Sequence, residues 1–366
     1  MTPIRIAING FGRIGRAMVR IAQDRPDLEI VAINNRGGDP EMLAHLLRHD
    51  TLMGPFDGEV RAEDGHIAVN GRRIRVTHET DPILCPWHAH EVEVAVEATG
   101  KFTRRDAGAR HLRAGARRVL ITAPGQDVDL TVVCGVNDDQ LDPEGHRVIS
   151  GASCTTNGLA PVVMALHRAF TIESGLLTTI HSYTRDQAVL DGTHRDPRRA
   201  RAAPLNIVPT KTGAARTMSL VMPEMAGRLT GMAVRVPVPD VSLVDLSVVL
   251  KESVTEEEVN DVFRASAMAE LVGILGVSED ALVSMDFLGD PRSTIVDAPA
   301  TLVARGHHLK VLAWYDNEWG YATRMVDLVE LIARGRRPWR EPAASGPTGD
   351  IVTDLDRAKK ADAPTG

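Results

Sequence analysis

The chain has 366 residues, 43% of them hydrophobic, with 42 Lys and Arg against 49 Asp and Glu for a net charge of −7. That length exceeds one comfortable core, so it suits two domains and a tail. The mixed, mildly acidic charge excludes the basic stripe of a nucleic-acid binder and points to small-molecule partners. Three cysteines, Cys85, Cys134 and Cys154, show no Cys-x-x-Cys and no zinc-like spacing. They make no disulfide framework and no metal site, and they fit a reducing cytosol. No run near 18 apolar residues and no leader-like segment is present, so the expectation is a cytoplasmic protein without a membrane partner.

In chain order, residues 4–8, 30–33, 92–98, 119–122 and 130–134 read as buried strands. Helical periods lie between them at 13–23, 40–48 and 104–114. Strands alternating with helices predict a Rossmann-type, doubly wound parallel sheet. Val69-Asn70-Gly71-Arg72 predicts one hairpin within it, through its Asn-Gly turn. After residue 150 a helix at 156–169 precedes long strands at 176–183, 229–238, 242–251 and 309–315, with a helix at 255–267. This predicts an α+β domain on a mostly antiparallel sheet. The division is therefore 1–152, rejoined by a last helix at about 318–335, then 153–317, with a mobile Pro-, Gly- and Asp-rich tail at 336–366.

The first strand leads into Asn9-Gly10-Phe11-Gly12-Arg13-Ile14-Gly15 and then a helix. In that strand–turn–helix context Gly10 permits the tight turn, Gly12 lets backbone approach a pyrophosphate, and Gly15 lets helix and strand pack closely. The helix N-terminus offers free N–H donors to phosphate. An acid is expected about 20 residues on to accept from the ribose hydroxyls. Asn35 stands there instead, with Arg36 beside it.

Ser150-Gly151-Ala152-Ser153-Cys154-Thr155-Thr156-Asn157 sits between a strand and a helix. A helix N-terminus lowers a thiol's pKa, so Cys154 is expected to be a thiolate nucleophile. Most lone cysteines are small buried hydrophobes, and Cys85 and Cys134 are read that way. The hydroxyls and amide around Cys154 set it apart. Among thirteen histidines, His181 lies within the strand-like Thr178-Thr179-Ile180-His181-Ser182-Tyr183-Thr184. Its spacing alone does not make it a catalytic partner.

Ser153-Cys154-Thr155-Thr156-Asn157 resembles the active-site signature of the phosphorylating glyceraldehyde-3-phosphate dehydrogenases. The likeness runs from the glycine loop through Arg198-Arg199-Ala200-Arg201, Thr212-Gly213-Ala214-Ala215, Arg235-Val236-Pro237 and Asp316-Asn317-Glu318-Trp319-Gly320. It implies that the Cys154 thiolate attacks the aldehyde of D-glyceraldehyde 3-phosphate and that His181 is the general base. By the same resemblance Thr184, Asp186 and Arg235 would meet the substrate phosphate. Ser153, Thr155, Thr212 and the N–H of Gly213, with Arg199 near, would meet inorganic phosphate. Gly10, Gly12, Arg13, Ile14, Asn35, Arg36, Thr122, Thr193 and Asn317 would hold the dinucleotide, and the arginine-rich loop would cross the interface of a homotetramer.

Loss of the acid at Asn35, the cation at Arg36 and the small, hydroxylated Gly192-Thr193 pair predict use of NAD and NADP, leaning to NADP. Two other functions compete: an erythrose-4-phosphate dehydrogenase, and a non-catalytic nucleotide- or RNA-binding protein. Tyr183-Thr184 and Thr212-Gly213-Ala214-Ala215 favour the triose over erythrose 4-phosphate, and the acidic balance disfavours RNA.

Overall fold

A computed structural model describes residues 2–340. The first half begins with β1 (Ile4–Asn9), α1 (Arg13–Ala22), β2 (Leu28–Asn34), α2 (Pro40–Arg48) and a small ladder of β3 (His49–Asp50) with β4 (Gly54–Pro55). Next come β5 (Val60–Glu63), β6 (His66–Val69), β7 (Arg72–Thr77) and β8 (Val94–Glu97). Two single-turn helices, α3 (Arg105–Gly108) and α4 (Arg110–Arg113), lead to β9 (Arg118–Ile121), β10 (Leu130–Thr131) and β11 (Val148–Ser150).

Nine of these strands form one sheet in the order β10-β11-β9-β8-β1-β2-β7-β6-β5. Every neighbour from β10 to β7 is parallel. Their apolar runs are buried on both faces, as a helix-covered parallel sheet requires. The expected hairpin joins β6 to β7, with Asn70 and Gly71 at φ of 49° and 78°. That is the two-residue turn whose twist matches the strands.

Two expected elements are shorter than their sequence patterns. The helix at 104–114 breaks after Gly108, whose missing Cβ would stand 3.2 Å from Ile121 and Val148 side chains. Close packing on the sheet favours glycine there, and glycine weakens the helix. The strand at 130–134 stops at Thr131 because Asn137 captures the chain, accepting from the N–H of Val133 and donating to the carbonyl of Thr131.

The second half runs α5 (Cys154–Phe170), β12 (Ile172–Ser182), β13 (Val208–Lys211), α6 (Ala214–Val221), β14 (Leu229–Val236) and β15 (Ser242–Leu250). It continues with α7 (Glu256–Met268), β16 (Leu275–Ser278), β17 (Thr294–Asp297), β18 (Leu302–Ala304) and β19 (His308–Tyr315), and closes with α8 (Trp319–Arg334). Its sheet order is β13-β14-β12-β15-β19-β17-β16, with β18 on the side of β19. The sheet is mixed: β12 with β14 and β16 with β17 are parallel, and the other pairs antiparallel.

Helix α8 returns to the first half and packs on α1. Arg25 fastens it there, donating to Asp327 at 2.9 Å and Glu330 at 3.2 Å. Residues 336, 337 and 339, expected to belong to the tail, make contacts with the fold. Arg337 donates to Asp138 at 2.5 Å, Arg336 pairs with Asp27, and Trp339 is buried. The rest of that expected tail, 341–366, lies outside the described residues.

Candidate active site

A cavity of about 910 Å³ opens at the carboxyl ends of the parallel strands and reaches the start of α5. Gly10, Gly12, Arg13, Ile14, Asn35, Arg36, Thr122, Ser153, Cys154, Thr184 and Asn317 all line it. Gly10 has φ of 104°, and a Cβ there would lie 2.8 Å from Ala98 and Thr99 backbone atoms. At Gly12 a Cβ would meet nothing within 4 Å, so its edge of the loop stays open to a ligand. Helix α1 has no side-chain cap and no acid in its first turn. Its leading N–H groups are therefore available to an anion.

Those features fit the pyrophosphate of a dinucleotide. The Arg13 side chain is already engaged, with Nε donating to Glu318 Oε2 at 2.7 Å and Nη1 to Asp50. Only its backbone is left for phosphate. Asn35 Oδ1 accepts from the N–H of Phe11 at 3.0 Å, and its Nδ2 donates to the carbonyl of Gly37. It braces the glycine loop from the position where an acid was expected. Thr122 Oγ1 donates to the carbonyl of Glu97 at 3.2 Å. At the far end Asn317 Oδ1 accepts from Ser182 at 2.9 Å and Ser242 at 2.5 Å, which orients the amide with its nitrogen as the remaining donor.

Cys154 is the first residue of α5, behind the N-cap Ser153, whose Oγ accepts from the N–H of Thr156 at 3.0 Å. Ala152, one residue before the cap, holds the left-handed φ of 58°. Tyr321 of α8 donates to its carbonyl at 2.9 Å, so the helix that returns from the other half helps hold this turn. Cys154 Sγ lies 3.5 Å from His181 Nε2. His181 Nδ1 is 2.8 Å from the carbonyl of Ser182 and 3.1 Å from Arg235 Nη1. Arg235 only donates, and its Nη1 is satisfied by that carbonyl at 2.8 Å and by Thr184 Oγ1 at 3.1 Å. The carbonyl accepts only, so it selects the Nδ1–H form of the ring. Nε2 then faces the thiol as an acceptor.

Around the Cys154 thiol of the free site, burial works against the expected lowering of its pKa. Burial raises the thiol, outweighing the pull of Arg235 and of the N–H and hydroxyl of Thr155. Burial, aided by Arg235, holds His181 down at about 3. Both shifts run toward a neutral thiol and a neutral imidazole, the ordinary consequence of taking charges out of water. Proton transfer from Sγ to Nε2 makes both charges together, and each then stabilises the other.

Arg235 reaches the site because β14 pairs with β12 in parallel, setting it directly beside His181. Thr184 donates to Asp186, and Arg199 donates to Asp186 at 2.6 Å and Thr210 at 3.0 Å. Although burial pushes Asp186 up, Thr184 and the two guanidinium groups hold it below the usual carboxylate range. Thr155 Oγ1 is 3.0 Å from the Tyr315 hydroxyl, which is also 2.9 Å from Thr179. Thr212 Oγ1 accepts from the N–H of Ala214, and Gly213 precedes α6. Thr193 is exposed and does not line this chain's cavity.

Three contributions went unnoticed in the sequence: Tyr315, Asp240, and the hold that Asp50 and Glu318 take on Arg13. Glu318 stands in the Asp316–Gly320 motif, but nothing local ties it to Arg13 or to Asp50. The Asp240 carboxyl is pushed up to about 9 by burial and by the nearby Asp316 and Glu318. Among the described residues no helix is long and apolar enough to cross a membrane.

Residues 4–105 match the family model of the glyceraldehyde 3-phosphate dehydrogenase NAD binding domain, and residues 153–317 that of its C-terminal domain. Glyceraldehyde-3-phosphate dehydrogenase 2 of Bacillus subtilis (strain 168) is 50% identical over 330 residues, covering 90% of this chain and 97% of the relative. The chain belongs to the glyceraldehyde-3-phosphate dehydrogenase family. The Geobacillus stearothermophilus glyceraldehyde-3-phosphate dehydrogenase is 51% identical over 330 residues, covering 90% of this chain and 98% of that one. That of Streptomyces coelicolor is 48% identical over 331 residues, again with 90% and 98% covered. Membership makes the chain an oxidoreductase that oxidises glyceraldehyde 3-phosphate with a nicotinamide dinucleotide.

Proposed function

We propose that the chain oxidises D-glyceraldehyde 3-phosphate to 1,3-bisphosphoglycerate, with inorganic phosphate as co-substrate and a nicotinamide dinucleotide as oxidant. The observation that carries this reading is the Cys154–His181–Arg235 cluster at the end of the dinucleotide-sized cavity. Cys154 Sγ forms a bond to the aldehyde carbon as His181 Nε2 takes the thiol proton. The imidazolium and the N–H of Cys154 stabilise the oxyanion. A bound dinucleotide supplies the hydride acceptor, with Asn317 for the carboxamide, Arg13 and Ile14 N–H groups for the pyrophosphate, and Asn35 and Arg36 near the ribose.

After oxidation Cys154 holds the acyl group as a thioester. A phosphate oxygen attacks that carbonyl, the C–S bond breaks, and the acyl phosphate leaves. Thr184, Asp186 and Arg235 serve the substrate phosphate; Ser153, Thr155, Thr212, Gly213 and Arg199 serve the incoming one. The catalytic roles and the division at residues 152 and 317 rest on the family likeness together with these positions. Erythrose 4-phosphate is the second aldehyde to test, with Tyr183-Thr184 favouring the triose.

Both NAD and NADP are accepted in this reading, with a lean to NADP. Arg36 lines the cavity and makes no ion pair among the described residues, so it is available to a 2′-phosphate. The assembly is a cytoplasmic homotetramer in which Thr193 serves a neighbour's cofactor. Val189, Leu190, Leu205 and Ile207 support that, since a single chain leaves these apolar residues of the arginine-rich loop exposed. Steady-state kinetics with the triose, with and without phosphate and with each dinucleotide, test the proposal. Turnover independent of phosphate would refute the phosphorylating reaction.

A further inference from the structure

We infer that Glu97 is a positioning residue for the dinucleotide, acting as a buried anchor that holds three strand ends and the 98–100 segment as one rigid cavity floor. This rests on the dinucleotide reading of the cavity. Strands β8, β1 and β2 are adjacent, and their registers set Glu97 beside Asn9 and Asn9 beside Asn34. These residues end the three strands on the edge where a doubly wound sheet binds its ligand.

The Glu97 carboxylate is fully buried, yet four donors converge on it. Asn9 Nδ2 donates to Oε2 at 2.6 Å, and the N–H of Thr99 donates to Oε1 at 2.9 Å, joined by the Thr99 hydroxyl. The fourth donor is His111 Nε2, 3.1 Å from Oε2. Its state follows from the other side of the ring, where Trp87 Nε1 lies 2.9 Å from His111 Nδ1. An indole N–H only donates, so Nδ1 must accept and Nε2 must carry the proton. Trp87 and His111 are themselves fully buried, which leaves no solvent to substitute for either bond.

Outward from Glu97 the chain of bonds reaches the cavity wall. Asn9 Oδ1 accepts from Asn34 Nδ2 at 2.8 Å, and Asn34 Oδ1 accepts from Thr77 and from the N–H of Glu79. Asn9, Asn34, Glu79 and Thr99 all line the cavity. Gly10 comes so close to Ala98 and Thr99 that a single Cβ would not fit between them. The position of Thr99, set by Glu97, therefore sets the spacing of the glycine loop from the opposite wall. No residue of this network is among the bonded partners of Cys154 or His181. Its effect falls on binding of the dinucleotide and not on the thiol.

An amide at position 97 presents an N–H₂ where only donors arrive, so Glu97→Gln keeps the shape and breaks the pattern. Calorimetric titration with NAD and NADP, beside the iodoacetamide alkylation rate of Cys154 without dinucleotide, tests the inference on the full chain. Glu97→Gln should weaken dinucleotide binding about tenfold to a hundredfold while alkylation stays within about twofold. Thr99→Val should weaken binding less, and the double variant no further than Glu97→Gln alone, since both act on one bond network.

Unchanged affinity in a folded Glu97→Gln overturns the anchor, as does alkylation that falls in step with affinity. If Glu97→Gln does not fold, Thr99→Val against Thr99→Ser decides. Serine keeps the hydroxyl donor and should restore affinity, and equal affinities would overturn the inference. A wild-type chain that binds neither dinucleotide sinks the dinucleotide reading itself, a result separable from either failure.

Discussion

Cys154 Sγ and His181 Nε2 stand 3.5 Å apart although they belong to different elements, one opening helix α5 and the other next to last in strand β12. The helix end aims the thiol, and the Ser182 carbonyl turns the ring so that its basic nitrogen meets it.

Removing either partner should stop the chemistry. Cys154→Ser should lower turnover by several orders of magnitude, because a serine hydroxyl is far less acidic than a thiol, a weaker nucleophile in this setting and a poorer leaving group from the acyl intermediate. His181→Asn should cost on the order of a hundredfold or more. Pre-steady-state reduction of the dinucleotide measures both, and near-normal rates in either variant would exclude this pair as the machinery.

Acid stability should carry the signature of His181. Its pKa falls from 6.5 unfolded to about 3 in the fold, through burial first and Arg235 second. The unfolded chain then binds the extra proton between those values. Stability from this group is whole above pH 6.5 and drains away as pH falls toward 3, at up to about 1.4 kcal/mol per pH unit. Urea midpoints of wild type and His181→Asn between about pH 6 and pH 4.5 should diverge in slope, with the variant shallower. Parallel curves would contradict it.

Asp240 should behave in the opposite sense. Its folded pKa is raised from 3.8 to about 9, so its contribution is whole below 3.8 and is lost as pH climbs toward 9. Asp240→Asn should melt higher than wild type at pH 8, with the gap closing near pH 4. Because the Asp240 charge also raises the Cys154 thiol, the variant should alkylate faster at alkaline pH. A lower melting temperature at pH 8 would show that the carboxyl is needed there.

Gly10→Ala should abolish tight dinucleotide binding. The added Cβ must displace Ala98 and Thr99 backbone 2.8 Å away, from a φ of 104° that side chains avoid. Gly12→Ala is the control for the free fold, since its Cβ would meet nothing within 4 Å. Equal loss of melting temperature in both would show a general effect and not a close approach.

Cofactor choice should respond to Asn35→Asp. A carboxylate beside the ribose repels a 2′-phosphate, so kcat/KM for NADP should drop about tenfold to a hundredfold relative to NAD. Wild-type preference for NAD by a hundredfold, unchanged by the substitution, would remove NADP from the proposal.

The residues by themselves determined the alternation of strands and helices, the Asn70–Gly71 turn and the glycine loop, because each depends on neighbours within a few positions. A helix start and polar neighbours singled out Cys154, while His181 was joined to it only by family likeness. Tertiary structure decided the rest. The parallel pairing of β14 with β12 sets Arg235 beside His181, and sequence carries no local mark of that register. Burial opposes the helix-end field on Cys154, since that field acts over one turn while desolvation depends on everything packed around the thiol. The Glu97 anchor likewise draws its donors from Asn9, Thr99 and His111, which only the folded sheet brings to one carboxylate.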